Sequence, residues 1–438
     1  MAIITFLAKT LGCRVNQAET KQIVNELISL GYQPFGNQSS PKVIILNTCV
    51  VTQKGERESA KTIRHLSKQY PKSLLVVTGC AANLWLKEGQ SKIPSTCLFV
   101  ANEEKSLIPK IIKNRLPLSS RKKSLKNKLN QSDFRVFIKI QDGCNQFCTY
   151  CLVPLVRNKI VSQLPVKIIK NVNQANLLGG KEAILSGINL SLYGQELTPP
   201  ISLNQLIKEI LKKTNIPRLS LSSLKPELIN QGLLEIFNNE QKQARRLSTY
   251  LHLSLQSAST EVLARMGRQN NLNSLKKTLL SLKEIVPEIT LRADIIVGFP
   301  GETEQEFEAT LSFVKETGIS FVHSFKYSPR PGTVAQKMIN KKHWSQVPEQ
   351  IKKIRQKKLL RIVQKNQQKQ AQGLIDSVRP VLILKETRKG WWGLSDNYWP
   401  TNVIFNQSEQ KNYLGKIVPV KIVSFQSKIL QGNFFDSN

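Results

Sequence analysis

The chain has 438 residues, 40% of them hydrophobic, with 64 Lys and Arg against 30 Asp and Glu for a net charge of +34. That length accommodates roughly three domains with packed cores, and no run approaches the ~20 apolar residues of a membrane-spanning helix. A surface this basic attracts polyanions, so nucleic acid is the expected partner and a membrane is not.

The opening residues, Met1 to Ala8, lack a basic leader and read as a first strand, so a cytoplasmic location is expected. Seven cysteines, an odd number, then suit metal ligation better than disulfides. Three apolar runs follow one another, and each ends in a cysteine. Ile3 to Leu7 leads to Cys13, Val43 to Leu46 leads to Cys49, and Leu74 to Val77 leads to Cys80. Helical patterns at Glu19–Leu30 and Arg57–Gln69 lie between them, so the segment 1–115 reads as an α/β domain with a parallel sheet. Ligands of such sheets gather at the carboxyl ends of strands, where all three cysteines fall. They are read as one shared site, with Cys97, inside a strand-like run, as a structural residue.

From Lys110 to Gln131 there are eight basic residues and no acid, which suits an exposed linker, either solvated or touching phosphate. After the strand-like Phe134 to Ile140 comes Cys144-Asn145-Gln146-Phe147-Cys148-Thr149-Tyr150-Cys151. A closed zinc site or a cubane iron–sulfur cluster takes four ligands. Three thiols in one loop, with no fourth Cys or His nearby, leave one iron open to a substrate or cofactor; a three-cysteine zinc loop is the other use of such spacing. Strand-like runs recur at Glu182–Ser186, Arg218–Ser222, Tyr250–Leu255, Ile289–Val297 and Ser320–Phe325. Six βα units over 133–347 predict an open, partial barrel with its site at the strand carboxyl ends. Thr303 and Glu306 form a capping box that opens a helix. His252 and His323 each sit in an apolar run and read as core, and no residue is assigned to acid–base catalysis. A basic helical connector follows over 348–371, and short strands over 372–438 suggest a small β-barrel. Trp391, Trp392, Tyr398 and Trp399 lie among its basic residues, where aromatics either stack unpaired bases or fill a core.

The cysteine loop resembles the motif of the radical S-adenosylmethionine (SAM) superfamily, in which SAM chelates the open iron and is cleaved by one electron. With Cys13, Cys49 and Cys80 ahead of it, the chain resembles the methylthiotransferases over nearly its whole length. The opening Leu11-Gly12-Cys13-Arg14-Val15-Asn16-Gln17 is most similar to the branch acting on N6-threonylcarbamoyladenosine at tRNA position 37. The isopentenyladenosine branch typically opens Tyr-Gly-Cys-Gln-Met-Asn, and the ribosomal-protein branch Leu-Gly-Cys-Pro-Lys-Asn. The resemblance implies SAM and two [4Fe-4S] clusters, one on Cys144, Cys148 and Cys151 and an auxiliary one on Cys13, Cys49 and Cys80. It also implies a turn at Ser186, Gly187 and Asn189 near the SAM amino group, and a TRAM-like RNA-binding barrel at the end of the chain. Arg157 matches a family arginine that would meet the SAM carboxylate or an RNA phosphate. The implied partners are tRNA, an electron donor and a sulfur source, with no DNA. The chain departs from the family pattern at Asn158, Gln163, Lys225, Ser254, Ala258 and Asn270, which bears on substrate contacts but removes no cysteine. The rival readings are the same chemistry on isopentenyladenosine or a ribosomal protein, and an RNA-binding iron–sulfur protein without transferase activity.

Overall fold

The computed structural model describes residues 4–36, 40–89, 93–118, 134–243, 245–404 and 412–435. Most of the linker expected before residue 131 lies outside them. The first sheet takes β1 (Thr5–Thr10), β2 (Gln33–Pro34), β3 (Val43–Thr48), β4 (Leu74–Gly79) and β5 (Leu98–Phe99) in the order β2-β1-β3-β4-β5, every pair parallel. Its helices are α1 (Arg14–Ser29), α2 (Gln53–Gln69), α3 (Cys80–Lys87) and α4 (Ile108–Arg115). All six residues of β3 are buried, as a central parallel strand covered on both faces requires. Thr52 caps α2 by accepting from the Gly55 N–H. The basic run from Lys110 thus begins as the last turns of α4.

The central strands are β6 (Arg135–Lys139), the short ribbon β7 (Gln141–Asp142) with β8 (Val161–Ser162) around α5 (Val153–Val156), β9 (Glu182–Ser186), β10 (Arg218–Leu221), β11 (Tyr250–Gln256), β12 (Thr290–Val297) and β13 (Phe321–Lys326). The sheets β10-β9-β6 and β11-β12-β13 are parallel, and bridges Leu219–Leu247 and Leu224–Leu253 join them into a six-stranded partial barrel. The helices α6 (Pro165–Leu177), α7 (Leu203–Lys213), α8 (Gln231–Lys242), α9 (Thr260–Arg265), α10 (Leu272–Ile285), α11 (Glu304–Thr317) and α12 (Val334–Asn340) follow its strands. Alternation along β12 sends Leu291, Ala293, Ile295 and Val297 outward into the helix-packed core, leaving Arg292 and Asp294 to the lumen. Thr303 and Glu306 form the expected reciprocal capping box on α11. The long basic helix α13 (Glu349–Leu374) buries Leu359 and Val363 against the barrel core. Among the described residues no helix is long and apolar enough to cross a membrane.

The remaining strands, β14 (Val378–Thr387), β15 (Gly390–Ser395), β16 (Pro400–Ile404), β17 (Ile417–Gln426) and β18 (Ile429–Phe434), close into the expected small barrel. Base stacking is not the use the structure gives three of its four aromatics. Trp391 and Trp399 belong to the barrel's own core, and Tyr398 enters the central barrel from below. Its ring stacks on Tyr250 at 4.1 Å and 8°, its phenol donates to Glu182 Oε1, and the Arg135 guanidinium lies 4.9 Å from its ring centre. Arg218 donates to the carbonyls of Leu394, Ser395 and Pro380 beside it. Burial would raise the Glu182 carboxyl, but Arg135 and Arg218 outweigh it and bring it down to about 2. These contacts seal the amino-terminal end of the barrel strands. Tyr398→Ala, which empties a packed aromatic site, is expected to cost about 3–5 kcal/mol. Chemical denaturation checks this, and an unchanged midpoint would deny the tyrosine a structural role.

Candidate functional site

Cys13, Cys49 and Cys80 each directly follow or lie just beyond a strand, β1, β3 and β4, at the carboxyl edge of one parallel sheet. Two of the three turns depend on glycine. Gly12 has φ +94°, and a Cβ there would sit 2.7 Å from both the Cβ and the Sγ of Cys49; Gly79 has φ +102°, and its Cβ would strike the Thr48 carbonyl at 2.4 Å. The Cys49 thiol feels both Cys80 and Cys13, so the three form one electrostatic group. Burial, with a smaller contribution from these neighbours, pushes Cys49 up to about 11. None of the seven cysteines is in a disulfide. Cys97 stands apart, its sulfur 4.0 Å from the Ser67 hydroxyl.

The second trio lies in the loop after β7. Cys151 feels Cys148 and Cys144, and burial is the chief reason that its thiol rises to about 12. The loop is pinned by Thr149, whose N–H donates to the Met266 carbonyl and whose hydroxyl donates to the Arg265 carbonyl. The Asn189 side chain points its amide at Cys144 Sγ (3.6 Å), while its backbone N–H donates to Gln141 Oε1. Gly187 packs against that same Gln141 side chain, and Ser186 is fully buried at the end of β9. The Ser186–Asn189 turn therefore adjoins the cysteine loop.

Both trios are chemically suited to iron–sulfur clusters. Each offers three free thiols, whose protons a metal replaces when it binds. Tetrahedral zinc, with Zn–S of about 2.3 Å, would draw its sulfurs to about 3.8 Å. Among the described residues the one trio of metal-type ligand atoms within 4.8 Å is His252, Asp294 and His323, so neither cysteine trio is gathered around a single ion.

Arg157 occupies a different place from the one expected. It is buried between the two cysteine groups, and each of its nitrogens has an acceptor. Nε donates to Cys80 Sγ (3.2 Å), Nη1 to Glu19 Oε1 (2.9 Å) and Asp142 Oδ1 (2.7 Å), and Nη2 to Glu19 Oε2 (2.9 Å) and Asn16 Oδ1 (3.0 Å). Lys105 (2.5 Å) and Lys139 (2.6 Å) also meet Glu19. Burial alone would raise the Glu19 carboxyl; Lys105 and Arg157, with Lys139, hold it well below the usual carboxylate range. With its donors occupied, Arg157 is left none for a SAM carboxylate or an RNA phosphate. From the far edge of the barrel, Arg330 closes over the auxiliary trio, donating to the Val50 carbonyl (3.1 Å) and Glu56 Oε2 (2.6 Å).

The lumen beneath holds His252 and His323, read from the sequence as core residues, with Asp294 between them. Asp294 Oδ1 lies 2.9 Å from His252 Nε2 and 3.2 Å from His323 Nδ1. Burial opposes ionisation of this carboxyl, but the two imidazoles outweigh it and bring it down to about 2. Their shared parity on consecutive strands was the available signal. Arg14, next to Cys13, reaches into the same lumen, its guanidinium 6.0 Å from the Phe137 ring centre.

Two family models match the chain: Uncharacterized protein family UPF0004 over residues 5–101, and the Radical SAM superfamily over residues 138–314. It is 31% identical to the threonylcarbamoyladenosine tRNA methylthiotransferase MtaB of Bacillus subtilis, covering 99% of this chain and 96% of that one. It is 29% identical to the tRNA-2-methylthio-N(6)-dimethylallyladenosine synthase of Clostridium tetani, covering 98% and 96%. Among solved structures, the radical SAM methyltransferase TsrM of Kitasatospora setae shares the fold with a TM-score of 0.54 at 11% identity, over 78% of each chain.

Proposed function

From its membership of the radical SAM methylthiotransferase family, which the chain belongs to on both family models and full-length relatives, we propose that it adds a methylthio group to C2 of N6-threonylcarbamoyladenosine at position 37 of tRNA. The observation that carries the reading is the adjoining pair of cysteine trios, tied together through Arg157, which donates to Cys80 Sγ and whose carbonyl accepts from the Cys144 N–H. Cys144, Cys148 and Cys151 would hold one [4Fe-4S] cluster, and Cys13, Cys49 and Cys80 the other. When bound, the clusters and SAM supply electron transfer, hydrogen abstraction, sulfur and the methyl group. The chain's own work is placement. Three thiols per site leave one coordination position for an exchangeable ligand, and Asn189 offers a donor to the Cys144 sulfur that steadies it. The Ser186–Gly187 turn permits close approach beside that loop. Arg157 positions Cys80 and fixes the distance between the two sites. Tyr398 and its neighbours close the lumen from below, so substrate enters from the cysteine side, where water is displaced as it docks. The charge of +34 supports tRNA as the substrate.

The relative from Bacillus subtilis favours the threonylcarbamoyl substrate over the isopentenyl one. Mass spectrometry of nucleosides from tRNA of a deletion strain tests this. Loss of the 2-methylthio group from threonylcarbamoyladenosine, restored by this gene alone, is the expected result. Loss from isopentenyladenosine would keep the chemistry and overturn the substrate, and survival of both would overturn the function.

A further inference from the structure

The lumen of the central barrel has a surplus of hydrogen-bond donors and of positive charge. Four guanidiniums, those of Arg14, Arg135, Arg218 and Arg292, face two carboxylates, Glu182 and Asp294. Both carboxylates are already satisfied. Glu182 accepts from Arg135, Ser220 and Tyr398, and Asp294 sits between its two histidines. Arg218 is spent on backbone carbonyls at the floor. What is left over points one way. Arg292 Nε and the Ser222 hydroxyl are buried without a partner, and Arg14 Nη1 and the Tyr250 hydroxyl, near enough to act on each other, have no acceptor or donor at full hydrogen-bond distance. A buried guanidinium nitrogen without an acceptor is costly, and proteins keep such groups where a ligand supplies the acceptor.

Arg14 is the one of these groups placed between the lumen and the cysteines. It follows Cys13 directly in sequence, its guanidinium lies over Phe137 of β6, and it is close enough to influence Tyr250, His252 and Tyr398. An anion reaching it from the cysteine side would lie between the auxiliary trio and the tyrosine floor. Resting on the substrate assigned above, we propose that Arg14 binds the carboxylate of the threonylcarbamoyl group, with the Tyr250 hydroxyl beside it, and so selects this nucleoside over its neutral isopentenyl counterpart. An uncharged hydrocarbon substituent would leave Arg14 Nη1 buried and unpaired, a penalty that acts against the wrong substrate as well as for the right one.

The test uses the reconstituted holoenzyme and two anticodon stem-loop RNAs, one carrying threonylcarbamoyladenosine at position 37 and one carrying its methyl ester. Wild-type kcat/KM is expected to favour the acid by about ten- to a hundredfold, the range for a hydrogen bond to a charged group. In Arg14→Gln that preference falls to near parity, chiefly through a rise in KM for the acid, and Arg14→Lys recovers part of it. The wild-type comparison needs no variant, so a poorly folding substitution does not rescue the idea: equal turnover of acid and ester by the wild type overturns it. So does an Arg14→Gln enzyme that loses the same factor on both RNAs, the outcome expected if the anion were a backbone phosphate. Activity on an isopentenyladenosine RNA with none on the acid would instead overturn the substrate assignment, and this inference with it.

Discussion

Cys144→Ala is expected to abolish reductive cleavage of SAM, whereas Cys13→Ala is expected to leave cleavage running and to stop sulfur insertion. The two residues belong to separate electrostatic groups, one in the loop after β7 and one at the edge of the first sheet. Losing one of three thiols leaves a cluster with two protein ligands, too few for a stable cubane. Each variant should therefore retain about four of eight irons, the number in one [4Fe-4S] cluster. The two would differ in product: no 5′-deoxyadenosine from Cys144→Ala, and 5′-deoxyadenosine without methylthio nucleoside from Cys13→Ala. Chromatography of both products alongside iron analysis checks the pair. A Cys13→Ala enzyme that still formed the full methylthio product would sink the division of labour.

The second large effect concerns stability. Glu19 receives Lys105, Lys139 and both Nη atoms of Arg157, all in a buried junction between the first sheet and the barrel. Glu19→Ala leaves Lys139 and Arg157 with Asp142 as their remaining carboxylate, and Lys105 with the Asn47 amide oxygen in place of a carboxylate. Removing one member of a buried ionic cluster costs about 3–5 kcal/mol, or roughly 10 °C in melting temperature for units of this size. The Glu19 carboxyl lies below its unfolded value, so its contribution is present above that value, about 4.3, and is lost as pH falls through the folded one. The gap between wild type and Glu19→Gln should accordingly hold steady from neutral pH to about pH 5 and narrow only below about pH 4. A gap that stayed constant to lower pH would mean that folding does not shift the Glu19 carboxyl, and a gap that widened would mean that Glu19 is neutral in the fold.

Features set by neighbours in sequence were legible. Apolar runs of strand period located β9 and β12 to within a residue, and the three cysteines of the first sheet do stand at strand ends, because a run of buried residues stops where the backbone turns out of the sheet. The Thr303–Glu306 capping box needs only four consecutive positions. Features set by distant partners were not. Arg157 looks like a surface or ligand-binding arginine until Glu19, 138 residues earlier, is placed against it. His252 and His323 were rightly seen to sit in apolar strands, but alternation puts them on the lumen side, where Asp294 meets both. The aromatics of the last domain stayed undecided for the same reason, since composition does not say whether Trp399 faces RNA or the inside of a five-stranded barrel.

The tyrosine that corks the central barrel has a consequence for the order in which the protein is made. Ribosomes release the chain from its amino end, so every cysteine has emerged long before Tyr398 exists. Until then the lumen is an open tube with Glu182, Arg135 and Tyr250 facing water at its lower mouth. The reaction chamber acquires a floor only when the last domain folds, and a chain truncated before that point would carry all six candidate cluster ligands around a vessel that cannot be closed.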